Sequence, residues 1–152
     1  MRIAPDDPTR ADVAGLIALH RGEALASTPR ENAHALDSAA LAHARVTFFT
    51  ARDADGTLAG MAALAAVGPG HVEVKSMRTA PTHLRRGVAR ALLAHLLVEA
   101  SARGAARVSL ETGTAPMFDA ANRLYEAAGF VDGAPFGGYP ESAHNRFMTM
   151  AL

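Results

Sequence analysis

A chain of 152 residues is long enough for one domain with a sizeable apolar core but short for two, and we expect one domain over residues 1–152. Fifteen Lys and Arg residues balance fifteen Asp and Glu residues, and this zero net charge argues against a general nucleic-acid-binding or membrane-surface protein. Because the chain contains no Cys, disulfides, thiolate catalysis and Cys-ligated metals are excluded.

The first half of the chain predicts a strand, a helical pair and an antiparallel hairpin. Residues 2–5 are a strand candidate. Positions at helical spacing then follow, at Val13, Leu16, Ile17, His20 and Ala24. Residues 27–44 predict one or two short helices after Pro29. Residues 45–67 predict two strands around Asp55-Gly56, a dipeptide that favours a tight turn.

The second half predicts alternating strands and helices. Residues 71–79 and 106–112 have the pattern of strands, and residues 85–102 present an apolar helical face between them. A second helix has its apolar face at Met117, Ala120, Ala121, Leu124 and Ala128, and residues 145–152 predict a last strand. The strands of the 71–112 unit should be parallel, with a right-handed crossover. We therefore predict an α/β fold of the α+β type, with one mixed sheet and helices on both faces.

The start of the helix at 85–102 carries Arg85, Arg86 and Gly87, where a capping Ser, Thr or Asp is usual. Added positive charge opposes the helix dipole unless an anion binds there. Gly87 would let a ligand approach the backbone, and the arginines would form charge-assisted bonds to a phosphate. Two interpretations stay open on these residues alone, a phosphate site and a solvated basic helix start.

A longer stretch resembles a known family. "VEVKSMRTAPTHLRRGVARALL" resembles the acetyl-CoA-binding core of the GNAT N-acetyltransferase superfamily, and "SLETGTAPMFDAANRLYEAAGF" is similar to the second half of that core. K-S-M-R-T, L-E-T-G and P-F-x-x-Y together resemble a group of small bacterial single-domain acetyltransferases. The family motif begins with Gln or Arg, whereas this chain has Leu84, so Arg85 or Arg86 is expected to replace that side chain.

The resemblance implies a mostly antiparallel sheet with a splayed parallel strand pair and acetyl-CoA as cosubstrate. It implies that backbone groups of Met77, Arg78 and Thr79 hold the pantetheine arm. It also implies a pyrophosphate loop formed by Leu84, Arg85, Arg86, Gly87, Val88 and Ala89. The acceptor amine would attack the thioester directly in a ternary complex, so that no protein nucleophile is needed.

The resemblance also implies the catalytic residues, Tyr125 as the acid for the leaving thiolate and Glu73 as the base for the amine. Each has an alternative role. The Tyr125 ring could serve only in core packing, and Glu73 could serve only as the ion-pair partner of Lys75. Glu111 is a second candidate for the base.

Two further segments bear on the acceptor. Residues 28–43, which contain His34, are expected to cover the acceptor pocket in this fold. Residues 135–146 are rich in loop formers, and Phe136 and Tyr139 are candidates for a pocket wall, although a plain connection to the last strand is equally open. The seven histidines show no metal-ligand spacing with carboxylates, so no metal site is expected.

These observations together predict an acetyl-CoA-dependent N-acetyltransferase acting on a small-molecule amine, without nucleic-acid or membrane partners. A homodimer is left open. No apolar run reaches the roughly 18 residues of a membrane span, and the first residues do not resemble a signal peptide, so we expect a soluble, cytoplasmic protein. The alternatives are a non-catalytic acyl-CoA-binding or sensor module and a protein N-acetyltransferase.

Overall fold

A computed structural model describes all 152 residues and contains seven strands and four α-helices. The strands are β1 (Arg2–Pro5), β2 (Val46–Arg52), β3 (Leu58–Gly68), β4 (His71–Thr79), β5 (Arg107–Gly113), β6 (Val131–Asp132) and β7 (Asn145–Ala151). The helices are α1 (Ala11–Ser27), α2 (Ser38–Leu41), α3 (Val88–Ala102) and α4 (Asp119–Ala128). Short 3-10 turns occupy Arg30–Asn32, Pro81–His83 and Pro116–Phe118. None of the helices has both the length and the apolar character that crossing a membrane requires.

All strands join one sheet in the order β1-β2-β3-β4-β5-β7-β6. Every neighbouring pair is antiparallel except β4 and β5, which are parallel. The hairpin predicted around Asp55-Gly56 is present, and Gly56 has a φ of 88°, which glycine adopts without steric cost. The predicted mixed sheet and the parallel strand pair on either side of α3 are therefore confirmed.

The parallel strands pair over only part of their length. Residues His71–Val74 of β4 pair with Arg107–Leu110 of β5, and the two strands then separate. Just beyond this point β4 contains a bulge, because two of its residues, Ser76 and Met77, lie opposite the single residue Ala62. Ser76 has a φ of 53°. The outer part of β4 thus has no strand partner on its β5 side, and a gap opens inside the sheet.

Helices cover both faces of the sheet, as predicted. On one face, which we call the α1 face, α1 and α2 pack Val13, Ile17 and Leu41 against Phe48 and Met61. On the opposite face, which we call the α3 face, the larger core contains residues of α3 and α4. They include Leu92, Leu93, Leu96, Tyr125 and Phe130. Truncating a fully buried leucine of this core to Ala would cost about 2–5 kcal/mol.

Two local details differ from the sequence prediction. Helix α3 begins at Val88 and not at residue 85, because Arg85 and Gly87 adopt left-handed backbone angles, with φ of 60° and 78°. Strand β6 was not predicted because two residues are too few to show alternation. The short helices predicted after Pro29 are present, as one 3-10 turn and the four-residue helix α2.

Candidate active site

The gap between β4 and β5 contains a cavity of about 110 Å³. Its walls come from β4, β5, α1 and α4, from the segment between α1 and α2, and from the residues around the start of β7. The lining includes Glu73, Lys75, Met77, Glu111 and Tyr125. The carboxylates lie on the α1 face, because Lys75 is the cross-strand partner of Ala63 in the core beneath α1, and Glu73 lies two residues before Lys75.

Tyr125 extends from α4 into the larger core and reaches this cavity. Its ring is buried and packs edge-on against Phe130, with 6.1 Å between the ring centroids. Burial, and next the charge of Glu111, raise the pKa of Tyr125 to about 12, and no hydrogen bond contributes to that shift. The hydroxyl therefore stays protonated at neutral pH, as a proton donor must.

Glu73 lies near the start of β4 and is buried, and its carboxylate has two hydrogen-bond partners. Its carboxylate accepts a hydrogen bond from Lys75 Nζ at 3.1 Å and from the Tyr139 hydroxyl at 2.7 Å. Lys75 Nζ also donates to the Tyr139 hydroxyl. Burial, followed by the Glu73 charge, raises the pKa of Tyr139 above its ordinary value. We call Glu73, Lys75 and Tyr139 the ionic cluster. The pairing with Lys75 that the sequence offered as an alternative is therefore present.

Glu111 lies near the end of β5 on the same face as Glu73. Asn145 Nδ2 donates a hydrogen bond to its carboxylate at 2.6 Å. Burial raises the pKa of Glu111 to about 7, although the hydrogen bond from Asn145 and the charge of Lys75 act in the opposite direction. The Glu73 charge contributes a further increase. Glu111 is thus a carboxyl that gains and loses its proton near neutral pH.

The loop before α3 has an unusual backbone. The left-handed Arg85 and Gly87 flank Arg86, and no backbone amide from Arg85 to Arg90 donates to a protein backbone carbonyl. Free amides at the start of a helix attract anions. A Cβ added to Gly87 would meet no atom within 4 Å, so the space beside this residue is open.

Side chains of the same loop divide into exposed and buried ones. Arg85 and Arg86 are exposed, and neither forms an ion pair within the chain. The Leu84 side chain is 59% exposed and offers no polar atom. Val88 is buried in the core and Ala89 is half-buried, so these two residues can offer a ligand little more than their amides.

The predicted pantetheine residues on β4 differ in their surroundings. Met77 is half-buried and lines the cavity. The Arg78 guanidinium instead reaches α1 and forms an ion pair with Glu23 at 2.5 Å. Thr79 is the cross-strand partner of Gly60 on β3. Only the Met77 side chain therefore reaches the cavity, while the role expected for all three depends on backbone groups.

The residues expected near the acceptor take different positions. His34 lines the cavity, and its ring lies 5.0 Å from that of Tyr139. Phe136 does not line the cavity. Its ring packs edge-on against the Tyr139 ring, with 5.4 Å between the centroids, and so helps to hold that ring in place. No group of three side chains from His, Asp and Glu residues could hold a metal ion.

Sequence reasoning missed several residues of the cavity wall, among them His20 and Asn145. The spacing of His20 in α1 was typical of a packed helix face, and Asn145 begins a strand, so neither had a local signal. Buried polar atoms of this wall lack a hydrogen-bond partner within the chain, namely His20 Nδ1, His34 Nε2 and Asn145 Oδ1. Burial lowers the pKa of His20 to about 4. Since unsatisfied buried polar atoms are costly, their concentration around one cavity is typical of a binding site.

A second cavity, of about 310 Å³, lies beside the first on the α1 face and shares Glu73 and Lys75 with it. Apolar residues form most of its wall. They include Leu36, Ala40, Val46, Ala65 and Val67. Its polar lining consists of the ionic cluster together with Arg45 and His43.

Comparison with known proteins identifies the family. Residues 13–130 match the model of the acetyltransferase (GNAT) family. The uncharacterized N-acetyltransferase YedL of Escherichia coli is 43% identical over 99% of this chain and 94% of its own length. A Klebsiella pneumoniae crystal structure assigned to the acyl-CoA N-acyltransferases is 26% identical, with a TM-score of 0.84 over 99% of this chain and 97% of that one.

A Bacillus subtilis acetyltransferase solved in complex with CoA has the same fold, with a TM-score of 0.75 at 19% identity over 99% of this chain and 98% of that one. The fold with its splayed strand pair, the family match over most of the length and the high identity to YedL all agree. This chain therefore belongs to the GNAT acetyltransferase family and is an acyltransferase.

Proposed function

We propose that the protein transfers the acetyl group of acetyl-CoA to the amine of a small molecule, by direct attack in a ternary complex. The observation that carries this proposal is the cavity in the β4–β5 gap. Its lining contains the Tyr125 hydroxyl, which has no hydrogen bond, and the carboxyl of Glu111, whose pKa of about 7 lies near neutral pH. The CoA complex of the B. subtilis acetyltransferase, which has the same fold, supports the choice of cosubstrate.

The cosubstrate would bind along two exposed stretches of backbone. The free amides of residues 85–90 would receive the pyrophosphate, with Arg85 and Arg86 adding charge-assisted bonds. Because Leu84 offers no polar side-chain atom, the two arginines would supply the side-chain contacts to the pyrophosphate. The pantetheine arm would follow the unpaired edge of β4 past Met77, where a backbone amide would polarise the thioester carbonyl.

We assign the base to Glu111 in preference to Glu73. Glu111 takes up a proton near neutral pH, and a base is most effective when its pKa lies near the working pH. Glu73 is held by Tyr139 and its charge is already paired with Lys75, so it is less available to take a proton from the acceptor. Glu111 would remove one proton from the ammonium form of the acceptor, directly or through water, and so leave the neutral amine.

The bond changes need no protein nucleophile. The neutral amine nitrogen attacks the thioester carbonyl carbon, and collapse of the tetrahedral intermediate breaks the carbon–sulfur bond. The electron pair of that bond leaves on sulfur. Tyr125 gives its proton to the thiolate, and the second amine proton passes to solvent, so that the products are the amide and CoA. Tyr125 then regains a proton from solvent and Glu111 releases the one it took up, which restores the enzyme. The high pKa of Tyr125 keeps this proton in place until the thiolate forms.

A small acceptor is favoured over a peptide, because the segments 28–43 and 135–146 both cover the cavity from the α1 face. His34 and Tyr139 contact each other across these segments. The first cavity, of about 110 Å³, is about as large as an amine group with a few carbons.

Release of the CoA thiol during incubation with acetyl-CoA and a panel of amines tests the proposal. The panel should contain alkylamines, amino acids and one peptide with a free N-terminus, with Tyr125→Phe as the matched control. We expect thiol release with at least one small amine and less in the control. Thermal stabilisation by CoA without thiol release for any amine would favour the acyl-CoA-binding module instead.

A further inference from the structure

The second cavity is larger than the cavity that contains Glu111 and Tyr125, and the reaction described above leaves it without a role. Its wall combines an apolar part with positively charged side chains. The apolar part is formed by α2, the start of β2 and the facing stretch of β3. The positively charged residues of the lining are Lys75 and Arg45, and Glu73 is its only carboxylate.

The charges of this cavity do not cancel. Glu73 is already committed to Lys75 at 3.1 Å and to the Tyr139 hydroxyl. Arg45 is exposed and forms no ion pair with any carboxylate of the chain. Its charge nevertheless acts on the lining of the cavity, since it contributes to lowering the pKa of Tyr139. The cavity therefore has one surplus positive charge, that of Arg45.

His43 adds a second donor beside this charge. Its Nδ1 accepts a hydrogen bond from the Arg45 amide at 3.3 Å, so the hydrogen of the neutral ring lies on Nε2. A guanidinium next to an imidazole N–H is a suitable pair of donors for a carboxylate. The aliphatic walls of Leu36, Val46 and Val67 would cover the carbon chain that leads to this carboxylate.

We propose that the second cavity is an outer acceptor subsite, which receives a carboxylate at the far end of the amine acceptor and pairs it with Arg45. The amine would lie in the first cavity, beside Glu111, and the chain would pass the shared residues Glu73 and Lys75. This inference rests on the proposed function, and it narrows the acceptor to amines that also carry a carboxylate separated from the nitrogen by several bonds.

The kinetic test compares ω-amino acids of increasing length with their carboxamides, which have the same shape without the charge. The series would run from β-alanine through 4-aminobutyrate to 6-aminohexanoate. We expect kcat/KM for one or more of these acids to exceed that of its carboxamide about tenfold or more. Arg45→Gln should remove this advantage, so that each acid and its carboxamide react at similar rates. Arg45→Lys should keep part of it, and Arg21→Gln, at an exposed arginine of α1 that lines neither cavity, should have no effect.

A binding measurement separates this inference from the proposed function. Thermal shift of the CoA-loaded protein would compare 6-aminohexanoate with 6-aminohexanamide, in wild type and in Arg45→Gln. Stabilisation by the acid that Arg45→Gln abolishes supports the subsite even if no amine is acetylated, a result that would defeat only the proposed function. Equal treatment of acid and carboxamide in both assays, or an unchanged preference for the acid in Arg45→Gln, would overturn the subsite while amine acetylation could stand.

Discussion

Replacing Glu111 with Gln tests whether burial has given this carboxyl its unusual acidity. The substitution removes the ionisable group and keeps an oxygen that can accept the hydrogen bond from Asn145 Nδ2. Gln has almost the same size as Glu, so packing in the cavity wall changes little. The variant therefore isolates the free energy of carrying a charge at this position.

The magnitude follows from the two pKa values. The pKa of Glu111 is raised from 4.5 to about 7 in the folded chain, a difference of about 2.5 units, and each unit corresponds to 1.36 kcal/mol, which gives about 3 kcal/mol. Below pH 4.5 the carboxyl is protonated in both states and contributes nothing. As pH rises from 4.5 to 7 the unfolded chain ionises first, so the folded state loses stability, and the full loss is reached above pH 7.

Urea denaturation of wild type and Glu111→Gln at pH 4.5 and at pH 8 measures this effect. We expect the two proteins to have similar free energies of unfolding at pH 4.5, and the variant to be more stable by up to about 3 kcal/mol at pH 8. Glu141→Gln, at an exposed carboxylate without an ion pair, is the control and should show no such pH dependence. A variant no more stable than wild type at pH 8 would refute the reasoning.

Three other predictions concern activity and cosubstrate binding. If Glu111 is the base, Glu111→Gln should lower kcat/KM on the order of 10²-fold or more at pH 7, and an unchanged rate would return the role to Glu73 or to water. Tyr125→Phe should lower kcat at least about tenfold with CoA affinity little changed, and a wild-type rate when chemistry is rate-limiting would mean that solvent protonates the thiolate. Gly87→Glu should lower CoA affinity, measured by calorimetry, at least about tenfold relative to Gly87→Gln. The two Gly87 variants share the strain of the left-handed backbone, so an equal loss would show that the phosphates lie elsewhere.

Much of the fold could be predicted because its signals are local. Alternation along 71–79, the apolar face of the following helix and the Asp55-Gly56 turn each report the conformation of the few residues that contain them. The start of α3 could not be found in this way. Arg85 has a left-handed backbone although nothing in an arginine favours it, so the surrounding structure must impose that conformation.

The candidate site was predictable in its members more than in its contacts. Glu73, Glu111 and Tyr125 were singled out, and all three line one cavity. The hydrogen bond between Tyr139 and Glu73 spans 66 positions in the sequence, and the bond from Asn145 to Glu111 spans 34. Such contacts arise from the packing of β7 and of the loop before it against β4 and β5, which no spacing rule reports.

The ionic cluster has a consequence for how this protein can change over evolutionary time. Removing Lys75 alone leaves the buried Glu73 carboxylate without its cation, and removing Glu73 alone leaves an unpaired ammonium on a side chain that is only 11% exposed, each of which is strongly destabilising. The two positions are therefore constrained to be exchanged together or kept. Lineages that acquire new acceptors would then do so through Leu36, Val46 and Arg45, where single substitutions leave no buried charge behind.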